Sequence, residues 1–354
     1  MTNTQKAVVL KKQGEIAFEE RPVPEIKDPH YVKVHIKKTG ICGSDVHYYT
    51  HGAIGDFVVK EPMVLGHESS GVVVEVGEAV TLVKVGDRVA VEPGVPSRYS
   101  DETKSGHYNL CPHMEFAATP PIDGTLVKYY LIPEDFVVKL PDHVSLEEGA
   151  CIEPLSVGVH ANRLAGTGFG KKVVIFGAGP VGLVTGNVAS AFGASDVVYV
   201  DVFEHKLKRA KEFGGTQIIN SKDYPKEDDL VKAIQDKLGG KSPEIAIDCS
   251  GAEVCIRSAI KVLKVGGTFV QVGMGRDNVN FPITLIITKE LRVLGSFRYY
   301  FDDYNIAVKL VSEGKVNAKA LITHTFKFDE AIDAYNFNRD HGNEVVKTII
   351  DGPE

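Results

Sequence analysis

The stretch that decides the fold is KVVIFGAGPVGLVTGNVASAFGASDVVYVD, residues 172–201. It opens on a short apolar run, residues 173–176, of the kind that forms a strand buried on both faces. A turn follows, Gly177-Ala178-Gly179-Pro180-Val181-Gly182, then an apolar helical segment, then a second apolar run ending on Asp201. A GxGxxG pattern alone is weak, because glycines are common. Between a strand and a helix, with an acid at the end of the next strand, it points to a dinucleotide site. Gly177 permits the tight turn, Gly179 lets backbone N–H groups approach a pyrophosphate, and Gly182 lets helix and strand pack closely. The helix N-terminus adds partial positive charge.

Asp201 is placed to accept hydrogen bonds from the adenosine ribose hydroxyls and to repel a 2′-phosphate. At about 4 Å and an effective dielectric of about 20, that repulsion is about 4 kcal/mol per unit charge. The nearest cations downstream are Lys206 and Lys208, so the expected cofactor is NAD rather than NADP, with Lys206 near the ribose.

Further along lie three strand candidates, TQIIN (216–220), PEIAIDCSG (243–251) and GGTFVQVGMG (266–275), separated by helical stretches such as residues 253–263. Strands alternating with helices predict an α/β unit, a parallel sheet covered on both faces. The first 150 residues read differently. YVKVHIKK, GVVVEVG, DRVAVEPG and DFVVKLPD are valine-dense and bounded by Gly, Pro and Asp, as strands are. No sustained helical period appears there. Residues 147–166 and 305–314 read as helices, and residues 345–351 as a last strand.

The 354 residues, 43% apolar and 25% charged, fit a globular chain of two domains. A formal charge of −7 and the lack of a dense Lys/Arg block argue against a nucleic-acid surface. No apolar run approaches the ~20 residues of a membrane span, and the first residues hold no signal-peptide core. The five cysteines, at 42, 111, 151, 249 and 255, form no disulfide framework, so the cytoplasm is expected.

Two N-terminal segments carry metal-ligand chemistry. GICGSDVHYY (40–49) holds Cys42, Ser44, Asp45 and His47, and GHESSGVVVEVG (66–77) holds His67 and Glu68. A thiolate, an imidazole and a carboxylate together suit zinc. GHE-x2-G-x5-G, with EPLSVGVH (153–160), GAGPVG and SFRYY (296–300), resembles the zinc-containing medium-chain dehydrogenases, and among them the polyol branch of sorbitol and xylitol dehydrogenases. The resemblance runs nearly end to end.

It implies a GroES-like β-barrel catalytic domain over residues 1–156 and a doubly wound Rossmann domain over 157–297. Residues 298–354 return to the catalytic domain, and the active site lies in the cleft between the two. It implies one catalytic zinc held by Cys42, His67, Glu68 and Glu153, with the choice of directly bound carboxylate left open. Glu153 takes the place of a cysteine found in simpler alcohol dehydrogenases. Cys151, two residues earlier, would face the other way on an extended chain and reads as a packed thiol. One thiolate and one carboxylate cancel the charge of Zn²⁺.

The implied reaction is reversible oxidation of a secondary alcohol of a sugar alcohol, with zinc acidifying the hydroxyl and hydride passing to NAD. Ser44 and His47, or water beside Glu153, would carry the proton, and Asp45 would support the zinc ligands. Tyr48, Phe116, Thr119, Glu153, Arg298 and Tyr299 are the implied substrate contacts. Val181, Val272, Gly273, Met274, Ser296, Phe297 and Arg298 join the glycines, Asp201 and Lys206 at the cofactor. Sorbitol, xylitol, L-arabinitol and galactitol users share these motifs. Two rivals are a zinc-free quinone-reductase relative, disfavoured by Cys42, His67 and Glu68, and a non-catalytic NAD-binding structural protein. A homotetramer is expected, a dimer second.

Many family members carry a second, structural zinc on four cysteines spaced C-x2-C-x2-C-x7-C. With Cys111 last, the positions here are Ser97, Ser100, Thr103 and Cys111. Hydroxyls are poor zinc ligands beside thiolates, so no structural zinc is expected.

Overall fold

The computed structural model describes residues 3–354. The chain forms two compact units. One runs to Glu153 and resumes over Tyr300–Ser312 and Asn317–Glu354. The other is Pro154–Tyr299 with Glu313–Val316.

The second unit carries six parallel strands: β1 (Lys172–Phe176), β2 (Asp196–Asp201), β3 (Gln217–Asn220), β4 (Ile245–Asp248), β5 (Thr268–Gln271) and β6 (Arg292–Gly295). Their order across the sheet is β3-β2-β1-β4-β5-β6, so the order reverses at β1 and leaves a crevice beyond the strand C-termini, where nucleotides bind in such sheets. β1 is buried on both faces, with Val173, Val174, Ile175 and Phe176 all at 0% exposure, as its unbroken apolar run requires. β6 was not evident in the sequence. It is a short edge strand, mostly exposed, and its residues lack the valine-dense signal of the others.

In the first unit the strand Tyr31–Gly40 is the hub. It pairs antiparallel with Glu68–Val76, Tyr129–Pro133 and Lys347–Asp351 within a seven-stranded sheet. Its alternation sends Val32, Val34 and Ile36 into a core with Val73, Val89, Val91 and Ile132. The hub brings the first and last parts of the chain side by side, because Gly40 sits in register with both Glu68 and Ile349.

Two local readings need correction. The N-terminal half is mostly β, but it includes a nine-residue helix, α1 (Gly43–His51). No apolar period announces α1; it is started by Cys42 at the N-cap and by Asp45, whose Oδ2 accepts the Cys42 N–H at 3.3 Å. Residues 147–166 form two helices, Leu146–Ala150 and α2 (Ile152–Ala165), joined at Cys151. Ser145 and Glu148 cap the first reciprocally. The chain at Cys151 and Glu153 is therefore helical, not extended. Cys151 is nonetheless a packed thiol: it is fully buried, and burial pushes it up to about 12.

Candidate active site

Cys42 ends the turn that starts α1; Glu68 opens the strand Glu68–Val76 and His67 immediately precedes it. One ligand atom from each of the three lies within 4.8 Å of the other two. A four-coordinate zinc, with bonds of about 2.0–2.3 Å, sets its ligands about 3.3–3.8 Å apart, so the group closes on an ion by movements of about an ångström. Glu153 is not one of the three. It is buried at 6% exposure in the first turn of α2.

The surroundings fit a cation. His67 Nδ1 faces Asp45 Oδ1 at 3.4 Å, with both side chains buried. That contact orients the ring and leaves Nε2 for a metal. At this distance it is an ion-pair contact, and both atoms lack a formed hydrogen bond. Burial alone would lower the His67 pKa, but the negative charges of Asp45 and Cys42 outweigh it and hold the imidazole well above its usual range. A metal ion held by this group would take the place of that proton. The Tyr335 hydroxyl is a third buried atom without a hydrogen bond; burial, then the charges of Asp45, Cys42 and Glu68, push its phenol well up.

Glu68 has a partner that the sequence reading missed. Lys347 donates to both its oxygens, at 2.6 and 2.5 Å, and to the Ile41 carbonyl at 3.2 Å. The two side chains are 1% and 4% exposed. Burial opposes the charge on Lys347, but Glu68 and Cys42 more than offset it, so the lysine stays charged. The pair meets over Gly40, where a Cβ would stand 2.2 Å from Glu68 Oε2. The available signal was a lysine inside the apolar run VVKTIID, because a charge pointing into a sheet core needs a partner. With a neutral His67, the negative charges of Cys42, Glu68 and Asp45, set against Lys347 and a divalent ion, sum to zero.

The Phe116 ring lies 5.6 Å from the His67 ring, beside the donor group, and the Phe116 carbonyl accepts the Thr119 N–H at 3.0 Å. Tyr48 is buried on α1. Ser44 and His47 lie one turn apart on that helix, His47 exposed. Burial, then the charge of His51, lowers the His47 pKa and keeps the imidazole neutral at neutral pH.

In the second unit the three glycines have different surroundings. Gly177 has φ +94°, Gly179 has open space where a Cβ would be, and a Cβ on Gly182 would stand 2.0 Å from the Gly177 carbonyl. Gly179 caps α3 (Pro180–Ala191), with Pro180 and Val181 in its first turn. Asp201 ends β2, where its Oδ2 accepts the Ala178 N–H at 2.7 Å and its Oδ1 the Phe203 N–H at 2.9 Å. It therefore braces the glycine turn with two of its four or so acceptor positions, leaving the others for a ligand. Lys206 lies over the Phe203 ring at 4.8 Å, and Lys222, distant in sequence, at 5.2 Å.

Val272, Gly273 and Met274 follow β5, with Met274 75% exposed. A Cβ at Gly273 would stand 2.5 Å from the Gly251 nitrogen, so this turn and the one after β4 are tightly packed. Beyond β6 come Ser296, Phe297, Arg298 and Tyr299. Arg298 adopts φ +56° and lies over the Phe297 ring at 4.8 Å. A left-handed backbone at a non-glycine residue is found preferentially at ligand sites. Tyr299 is buried.

In the loop of Ser97, Ser100, Thr103 and Cys111 the four residues are gathered at one sulfur. Ser100 Oγ lies 3.0 Å from Thr103 Oγ1, and the His113 N–H donates to Cys111 Sγ at 3.4 Å. Burial raises the Cys111 thiol, but hydrogen bonds from Ser100, His113, Ser97 and Thr103 bring it below its ordinary value.

Comparison with known proteins agrees with this architecture. Residues 28–142 match the alcohol dehydrogenase GroES-like domain and residues 180–313 the zinc-binding dehydrogenase domain. Sorbitol dehydrogenase 1 of Saccharomyces cerevisiae is 67% identical over 354 residues, covering 99% of each chain. A D-xylulose reductase of Scheffersomyces stipitis is 54% identical, covering 98% of this chain and 99% of its own. An Escherichia coli alcohol dehydrogenase solved in complex with NADH superimposes with a TM-score of 0.90 at 26% identity, covering 99% of each chain. Full-length identity at this level, two matched domains and the donor group in the first of them have one reading: the chain belongs to the polyol branch of the zinc-containing medium-chain dehydrogenases.

Proposed function

We propose that the protein is a zinc- and NAD-dependent polyol dehydrogenase that reversibly oxidises sorbitol to fructose and xylitol to D-xylulose. The buried donor group Cys42, His67 and Glu68 carries the reading, and 67% identity to a sorbitol dehydrogenase against 54% to a D-xylulose reductase puts sorbitol first. Bound zinc supplies the Lewis acidity for the substrate hydroxyl, and NAD accepts the hydride.

The chain's own residues do the rest. Cys42, His67 and Glu68 hold the ion, with Glu153 the remaining carboxylate, and Asp45 keeps the His67 ring oriented. Tyr48, Phe116, Thr119, Arg298 and Tyr299 line the polyol, with Phe116 excluding water beside His67. Ser44 passes the proton to His47, whose neutral ring accepts it. Gly177, Gly179, Val181 and Gly182 cradle the pyrophosphate. Asp201 and Lys206 take the ribose, and Val272, Gly273, Met274, Ser296, Phe297 and Arg298 take the nicotinamide half. We assign the domains to 1–156 and 157–297, with the returning segment at 298–354.

One zinc per chain is proposed, because the loop at Cys111 satisfies its thiol with hydrogen bonds. A homotetramer is proposed, a dimer second. The mostly exposed edge strand β6 and a neighbouring helix, Ile283–Lys289, with Ile283 and Ile287 at 60% and 75% exposure, favour pairing with a second copy. The five free cysteines favour the cytoplasm. Among the described residues no helix is long and apolar enough to cross a membrane.

A kcat/KM panel over C5 and C6 polyols with NAD and NADP tests the reading: turnover of sorbitol and xylitol with NAD is expected, and no turnover of any polyol overturns it. Asp201→Asn is the sharper cofactor variant, since it keeps one acceptor for the turn while removing the charge. It should lower the NAD-over-NADP preference by up to about 1,000-fold, the scale of one unit of charge repulsion at about 4 kcal/mol.

A further inference from the structure

α1 ends on a second histidine for which the dehydrogenase chemistry above has no use. His47 and His51 stand one helical turn apart, on one face. Their rings are stacked with centroids 4.3 Å apart, and both residues are exposed. Two imidazoles at i and i+4 on a helix are a chelating pair for a transition-metal ion.

A second observation concerns which nitrogen is available. The Thr50 hydroxyl oxygen lies 2.8 Å from the Val46 carbonyl and 2.7 Å from His51 Nδ1. With its proton given to the carbonyl it accepts from Nδ1, and that tautomer leaves Nε2 with its lone pair. A backbone-anchored oxygen holding one ring nitrogen, so that the other is free to bind, is how metal-ligating histidines are held. His47, whose pKa is lowered chiefly by desolvation, supplies the second lone pair.

We propose that His47 and His51 form a surface chelate for a divalent transition-metal ion of the kind imidazole prefers, Cu²⁺, Ni²⁺ or Zn²⁺. It shares no ligand with the buried group at Cys42, His67 and Glu68. The inhibitory part of the proposal rests on His47 being the proton acceptor of the dehydrogenase: an ion on its free nitrogen occupies the lone pair that takes the proton. The site makes polyol oxidation sensitive to free transition metal while the buried centre stays loaded.

The test uses the untagged, zinc-loaded enzyme, with Ni²⁺ added and followed by calorimetry and by polyol turnover. The wild type should bind one further Ni²⁺ per chain and lose activity as it does so. His51→Gln should weaken that binding about 100-fold, the advantage of a second ligand on one rigid turn, and abolish the inhibition while leaving turnover without added Ni²⁺ unchanged. Thr50→Val, which removes only the oxygen behind His51, should weaken binding about 10-fold. Equal Ni²⁺ affinity in wild type and His51→Gln overturns the chelate. Binding that is lost in His51→Gln but never affects turnover overturns the inhibition. Binding lost in that variant, in a chain that turns over no polyol, upholds the chelate and removes the dehydrogenase reading instead.

Discussion

The donor group at Cys42 and the loop at Cys111 belong to the same unit, and each gathers a cysteine with oxygen and nitrogen atoms. They differ in what is left over. Around Cys42 three buried polar atoms, Asp45 Oδ1, His67 Nδ1 and Tyr335 OH, have no hydrogen bond, and the histidine holds a proton well above its usual range. Around Cys111 two hydroxyls and two backbone groups close on the sulfur, and Ser100 also caps the short helix Asp101–Lys104. The first cluster leaves polar atoms and negative charge facing one another, whereas in the second the sulfur is met by hydrogen bonds. Buried polar groups that lack partners are costly. A cluster that retains them has a use for the missing charge.

The largest effect should come from Cys42→Ser, which removes the soft ligand. Zinc content should fall toward zero by metal analysis and kcat/KM by about 1,000-fold or more, the several kcal/mol a Lewis acid supplies, while NAD binding by titration survives. Full activity would refute the zinc mechanism.

Next is Lys347→Met, which strands Glu68. Breaking a buried pair costs about 3–5 kcal/mol, so the apo protein should melt far lower. The zinc-loaded protein should lose less, because the ion takes over the lysine's charge. Equal losses in apo and loaded protein would mean that Lys347 and the ion do not share Glu68.

The loop can be pushed the other way. Ser97→Cys, Ser100→Cys and Thr103→Cys together should raise zinc from one to two per chain. Stability should rise by about 2.7 kcal/mol at free zinc 100-fold above Kd. No second zinc would mean that the loop has lost the geometry as well as the ligands.

The smallest effect concerns a buried acid with neither ion nor lysine. Burial raises Glu92 to about 8 from an ordinary 4.5; the Tyr108 hydroxyl hydrogen-bonded to it works against the rise, and Asp303, Asp135 and Glu153 add to it. A folded-state pKa above the unfolded one gives stability that is present at low pH and lost as pH rises between about 4.5 and 8. Glu92→Gln should therefore melt a few degrees above wild type at pH 8 and close to it at pH 4.5. A difference unchanged across that range would show that Glu92 is ionised in the fold.

The sequence made some of this legible and hid the rest for physical reasons. The glycine turn and Asp201 could be read because their constraints are local: a tight turn, an approach, an acid at a strand end. Cys42, His67 and Glu68 could be named from their motifs. Lys347 could not be assigned to Glu68, because the two are 279 residues apart and meet only through a register across Gly40. α1 was hidden because its start depends on Cys42 and Asp45 rather than on an apolar stripe. Tyr335 and Lys222 reach their positions through tertiary packing alone.

The glycine at position 40 also sets an order of events in time. Cys42, His67 and Glu68 leave the ribosome early, as a site with excess negative charge. The lysine that balances Glu68 arrives 279 residues later, or about 15–60 s at ordinary rates of synthesis. Until the last strand docks beside Gly40, Glu68 lacks the cation that balances it in the fold.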